Sequence, residues 1–143
     1  MQAKFLSYIV AAAILTAIDP ALAQQPAKIP RIGFLSGASA PAASVQAFQQ
    51  GLRDLGYVEG KNILVEYRYV EGKLDRYPRL VAELVQLKVD VLVVTAAFRA
   101  AQQATKTIPI VMVTTTDPVA AGLIDSLAHP GGNITGLTRL GYW

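Results

Sequence analysis

The sequence predicts an α/β fold, a Rossmann-like parallel five-stranded sheet flanked by helices. Three observations carry this. Short apolar runs rich in β-branched residues recur between Arg31 and Leu137. Segments with apolar residues at helical spacing separate them, and Gly, Pro or Asp punctuates each junction. Strands alternating with helices imply right-handed crossovers and a parallel sheet covered on both faces.

Each element has its own signal. Ile32-Gly33-Phe34-Leu35 is a short apolar run closed by Ser36-Gly37, a strand followed by a turn. Val45, Phe48, Leu52 and Leu55 share one helical face, and Gly56 stands where a left-handed glycine ends a helix. In Ile63–Tyr69, Val65, Tyr67 and Tyr69 alternate with Glu66 and Arg68, the pattern of a strand near a sheet edge. Asp75 is placed to cap a helix lined by Leu80, Leu84 and Leu87, with Val81 and Val85 beside them. Val91-Leu92-Val93-Val94 is an uninterrupted apolar run, expected to be a central strand buried on both faces. A helix over about 97–105 follows, then a buried strand, Ile110–Val113. Asp117-Pro118 has the N-cap and first-turn signature of a further helix carried by Val119, Leu123, Ile124 and Leu127. Gly131-Gly132-Asn133 is a turn, and Ile134–Leu137 the last strand.

Composition narrows the function classes. At 143 residues the chain has room for one domain, and 52% hydrophobic residues exclude intrinsic disorder. Without cysteine, these residues hold no disulfide framework, thiolate metal site, cysteine nucleophile or cysteine-linked lipid. One histidine, His129, excludes a multi-histidine metal site; between Ala128 and Pro130 it reads as the end of a helix, where a cation meets the dipole favourably. A net charge of +3 with no basic patch argues against nucleic-acid binding. Gly33 and Gly37 lack the spacing of a dinucleotide fingerprint, and no cofactor is implied.

The amino-terminal segment has the three-part layout of a secretory signal peptide. Lys4 supplies the positive region, Phe5 to Ile18 the apolar run, and Ala21-Leu22-Ala23 the small residues of a cleavage site. The run is shorter than the roughly 20 residues of a spanning helix. Residues 1–23 are therefore expected to be removed on export, 24–30 to form a Pro-rich tether, and 31–138 to form the fold. An exported chain lacking both disulfides and a cysteine-linked lipid fits a bacterial periplasm.

In open parallel sheets, ligands bind beyond the carboxyl ends of the strands, near a switch in strand order. Topology thus gathers Ser36 and Gly37, Thr95 and Ala96, and Thr114, Thr115, Thr116 and Asp117 on one rim. Hydroxyls that both donate and accept, with backbone amides and one carboxylate, suit a small polar or zwitterionic solute. Each has a plain structural reading beside that one. Asp117 before Pro118 is a helix cap, the threonines end a β-branched strand, and Ser36-Gly37 is a turn in any case. Tyr57, Tyr67, Tyr69 and Tyr77 are spread over a loop, an edge strand and a helix, so they read as packing rather than as a stacking platform.

The stretch Gly51-Leu52-Arg53-Asp54-Leu55-Gly56-Tyr57-Val58-Glu59-Gly60-Lys61-Asn62 resembles the GL-x-x-LGY-x-EG-x-N segment of substrate-binding proteins of bacterial ABC importers, the tryptophan/tyrosine type with a type I periplasmic-binding fold. Residues 104–111, Asp117-Pro118-Val119 with Gly122-Leu123, and 130–136 resemble the same family, so the likeness covers nearly all of 31–138. It implies a receptor that hands a small-molecule solute to a permease in the inner membrane. Carried over by residue, Ser36 and Gly37 match the first ligand loop, Thr95-Ala96-Ala97 the second, and Thr116-Asp117-Pro118 the third. Two positions depart from the pattern: Val94 stands where the family has Gly, and Ala96 where it has Pro. The resemblance also implies a two-lobed clamp about twice this size. On that reading 31–138 is the amino-terminal lobe, 139–143 is the start of the hinge, and the inter-lobe surface is open to self-association or to a partner lobe. The competing class is a small periplasmic α/β enzyme or flavodoxin-like module using the same rim; the scarcity of His, Cys and phosphate-loop glycines weighs against it.

Overall fold

The computed structural model describes residues 27–39 and 42–139. The expected signal peptide, the first three residues of the tether and the last four residues lie outside them.

Five strands form one sheet, β1 (Arg31–Ser36), β2 (Leu64–Tyr69), β3 (Val91–Val94), β4 (Ile110–Thr114) and β5 (Ile134–Thr138). All neighbours are parallel and the order is β2-β1-β3-β4-β5. Three helices connect them, α1 (Ala43–Asp54), α2 (Tyr77–Gln86) and α3 (Phe98–Ala104). The chain steps from β1 to β2 in one direction and then returns past β1 to β3, so strand order reverses between β1 and β3.

Right-handed crossovers taken in opposite directions put the helices on opposite faces. Leu35, Leu92, Val94, Ile110 and Met112 face α2 and α3, whose Leu80, Val81, Leu84 and Ala101 complete the larger core. Phe34 and Val93 face α1 and pack with Val45 and Phe48. β3, with Leu92 and Val94 on one face and Val93 on the other, is the buried central strand the apolar run predicts. β2 is an edge strand, also as predicted. Val65, Tyr67 and Tyr69 pack toward α1, and Arg68 on the opposite side donates to Glu83 of α2 at 3.1 Å.

Helices lie over both faces, as expected, but unequally. Among the described residues α1 is the single helix on its face, and it packs over β1, β2 and β3. Beyond it Val113 of β4 and Leu137 of β5 remain 39% and 71% exposed.

Helix α1 stops at the glycine the sequence marks. Gly56 has φ +86°, its amide donates to the Arg53 carbonyl, and Tyr57 donates back to Leu52, the paired bonds of a Schellman close. Leu55, expected on the buried face, lies past the helix end and is 76% exposed. The family-like segment beyond it is held by Asn62, whose side chain accepts from the Val58 amide and donates to the Gly56 carbonyl.

Three further expectations need correction. Asp75 caps no helix: it lies inside a 3-10 turn, Leu74–Arg76, that leads directly into α2. The segment after Asp117 forms one turn, not a helix. Asp117 Oδ1 accepts from the Val119 and Ala120 amides, so the start signal works. Gly122 then takes φ +64° and donates to Val119 while Leu123 donates to Pro118, closing a Schellman motif after a single turn. His129 accordingly ends no helix; its backbone amide donates to the Ser126 hydroxyl in an exposed loop.

The starts of β1 and β3 are tied by Asp90. Its carboxylate accepts from Lys28 Nζ and from the Arg31 amide, and these two contacts, Lys28 first, hold its pKa below the ordinary 3.8. A depressed carboxylate pKa stabilises the fold above the ordinary range, and the contribution is lost as pH falls through the folded-state value. Because the pair is largely solvated, Asp90→Asn should cost under about 1 kcal/mol near neutral pH. Urea midpoints of the two proteins should converge in strongly acid solution, below the folded-state value of Asp90; a gap that persists there contradicts this assignment.

Candidate functional site

In a parallel sheet all carboxyl ends share one edge. Here that edge carries the loops after β1, β3 and β4 together with the first residues of α1, α2 and α3. The three sequence-predicted loops therefore do lie on one rim, and the first two meet at the reversal of strand order. There the Gly37 amide donates to Thr95 Oγ1 at 3.3 Å, and the Thr95 amide to the Leu35 carbonyl at 3.1 Å.

Gly37 is small for a steric reason. A Cβ at this position would stand 3.0 Å from the Ala96 methyl and 3.0 Å from the Tyr77 hydroxyl. Loop one, loop two and the start of α2 thus converge on one corner. Ser36 contributes differently from the expectation, since it is 1% exposed and its hydroxyl accepts from the Ala38 amide. It builds the loop from below, while Gly37, Thr95, Ala96 and Ala97 are partly exposed.

Ala97 has φ +56° and ψ +37°, left-handed backbone on a residue with a Cβ, immediately before α3. Such a conformation costs roughly 1–2 kcal/mol and concentrates where a loop must present groups in a set direction. The departure at Val94 has a plain outcome: its side chain lies fully buried in the core beneath α2 and α3.

The third loop is held from both sides. Thr114 and Thr116 hydroxyls are 2.9 Å apart, and Thr114 Oγ1 accepts from the Thr116 amide. Thr138 Oγ1 donates to the Thr116 carbonyl at 3.1 Å, fastening this loop to the end of β5. Thr115, Thr116 and Asp117 are exposed on the rim. One Asp117 oxygen is committed to its own turn, so the residue caps a turn rather than the expected helix, and its side chain is exposed.

Sequence reasoning missed Tyr77. Its helical spacing reads as packing, and its ring does lie against the larger core. Only the fold brings its hydroxyl to Gly37, so no local signal could have found it.

A cleft with a volume near 390 Å³ lies elsewhere, along α3. Three of its polar side chains are engaged in holding the chain together. Arg99 donates to the Ala121 carbonyl, Gln102 to Leu123, and Asn133 to Thr105 and Ile108. Among the described residues no group of three or more His, Cys, Asp or Glu side chains could hold a metal ion, and no helix is long and apolar enough to cross a membrane.

Comparison with known proteins adds the decisive observation. Residues 28–140 match the profile of a family described as ABC transporter substrate binding protein. The chain belongs to this family. It is similar to a tyrosine-binding protein from Clostridioides difficile, at 38% identity over 93 residues, 64% of this chain and 27% of that protein. Among solved structures it is similar to an ABC domain from Streptococcus pneumonia in complex with L-Trp, with TM-score 0.68 and 31% identity over 76% of this chain and 38% of that one. It is also similar to a ligand-free, open substrate binding protein with adhesive properties from Clostridium difficile, with TM-score 0.70, 29% identity and the same coverage. The chain thus spans well under half the length of these relatives. Family membership accords with the sheet order and with the rim of loops, and the relatives are binding proteins rather than enzymes.

Proposed function

We propose that this family member recognises a small amino-acid-like solute at the carboxyl edge of its sheet, as the solute-binding component of an ABC importer. The observation that carries the reading is the meeting of the loops after β1 and β3 at the reversal of strand order, through Gly37 and Thr95. That is the crevice where open parallel sheets receive ligands. Gly37, Thr95, Ala96 and Ala97 form one wall, and Thr115, Thr116 and Asp117 the other. Ser36 supports the first loop from beneath. Backbone amides and hydroxyls receive the solute's carboxylate, and Asp117 its ammonium group. On this reading the solute passes to a membrane permease, a step that family membership supports, and export by the signal peptide at 1–23 would place the chain in the periplasm. The loops bind and orient, and no catalytic step is assigned to them.

Thermal unfolding against L-tyrosine, L-tryptophan and a panel of organic acids tests this. A solute that binds only the folded chain, at 100 times its Kd, adds about 2.7 kcal/mol and raises the midpoint clearly. A cooperative transition that no member of the panel moves at millimolar concentration removes the proposal for this chain acting alone.

A further inference from the structure

The corner where loops one and two converge holds one side-chain hydroxyl that no described residue engages. The Ser36 hydroxyl accepts from the Ala38 amide, the Ser36 carbonyl from Val70, and the Thr95 hydroxyl from Gly37. The Tyr77 hydroxyl, by contrast, makes no hydrogen bond among the described residues, although it approaches within 3.0 Å of the point where a Gly37 Cβ would stand. Its ring packs on the core beneath, so the hydroxyl is held in place from below rather than swinging in water. A phenol both donates and accepts, and because this one is not sealed from solvent it is open to an oxygen of a solute seated on the rim.

We propose that Tyr77 is a specificity-determining residue of the rim, whose hydroxyl donates to a carboxylate oxygen of the bound solute at the corner between Gly37 and Ala96. This rests on the solute-binding reading above and adds a contact to it. Burial pushes the Tyr77 pKa up, so the group stays protonated, a neutral donor, throughout the physiological range. A neutral donor favours an acid over its amine analogue without the strong, unselective pull of a buried cation. The absence of a side chain at Gly37 is what lets the hydroxyl reach this position.

The test is titration calorimetry of the wild-type chain and Tyr77→Phe with L-tyrosine, L-tryptophan and tryptamine, which lacks the carboxylate, alongside unfolding midpoints without solute. Tyr77→Phe should weaken binding of the amino acids about tenfold, leave the unliganded midpoint unchanged and leave any binding of tryptamine unchanged. Equal amino-acid affinity in the two proteins overturns the assignment while the solute-binding reading stands. An affinity loss matched by a lower unliganded midpoint also overturns it, since the hydroxyl would then be structural. A wild-type chain that binds none of the three probes removes both proposals together.

Discussion

Phe34→Ala should lower the unfolding free energy by about 3–5 kcal/mol, the usual range for deleting a buried phenylalanine. Phe34 is 2% exposed, and its ring centroid lies 4.8 Å from that of Phe48 and 5.8 Å from that of Tyr67. The core on this face is small, with Val45 and Val93 as the other fully buried members among the described residues. With one helix covering that side, few neighbours can collapse into the space left by the ring, so the cavity cost adds to the lost transfer energy. For a domain whose whole stability is on the order of 5–15 kcal/mol, this is a large fraction. Urea unfolding of the two proteins measures it, and a loss below about 1 kcal/mol would show that the α1 face contributes little.

Gly136→Ala should cost about 3 kcal/mol or more, for the opposite reason. The added Cβ would stand 2.0 Å from the Met112 carbonyl oxygen and within 2.8 Å of two more Met112 backbone atoms. A side chain could rotate aside, but main chain in the neighbouring strand cannot, so β5 must separate locally from β4. The Thr138 to Thr116 bond and the Arg139 amide to Thr114 bond would then be strained, and the third loop of the rim loosened with them. Amide hydrogen exchange across 110–114 and 134–138 should accelerate in the variant, with a lower thermal midpoint. An alanine variant with a wild-type midpoint and unchanged exchange would mean that the two strands have slack not visible in their packing.

Much of the fold could be read along the chain. The runs at 32–35, 91–94 and 110–113 are strands, the alternation over 63–69 belongs to an edge strand, and Gly56 ends α1. These signals are local: a β-branched run, a period of two, and a glycine free to take positive φ each act over a few residues. The failures are instructive because a valid local signal was overridden close by. Asp117 caps a turn as predicted, yet Gly122 closes it five residues later, and apolar spacing at 119, 123, 124 and 127 could not reveal that. Leu55 continued the helical period of α1 but fell beyond the point where the left-handed glycine redirects the chain.

The candidate site divides the same way. Topology inferred from element order was enough to put the loops after β1, β3 and β4 on one rim, because parallel strands share their carboxyl edge. It could not say which side chains face outward. Ser36 turned inward to its own loop, Val94 into the core, and Asp117 spent one oxygen on its cap, each choice set by which face of a strand or turn the pleat presents.

Element type and order, and hence the class of fold and the edge that bears the site, were determined by the sequence itself, since they follow from local periodicity and chain direction. The meeting of Gly37, Ala96 and Tyr77, the contact between Gly136 and Met112, and the open face at Val113 and Leu137 were decided only by the tertiary structure. These depend on residues tens of positions apart being brought within a few ångströms, and no pattern in either segment alone encodes the distance between them.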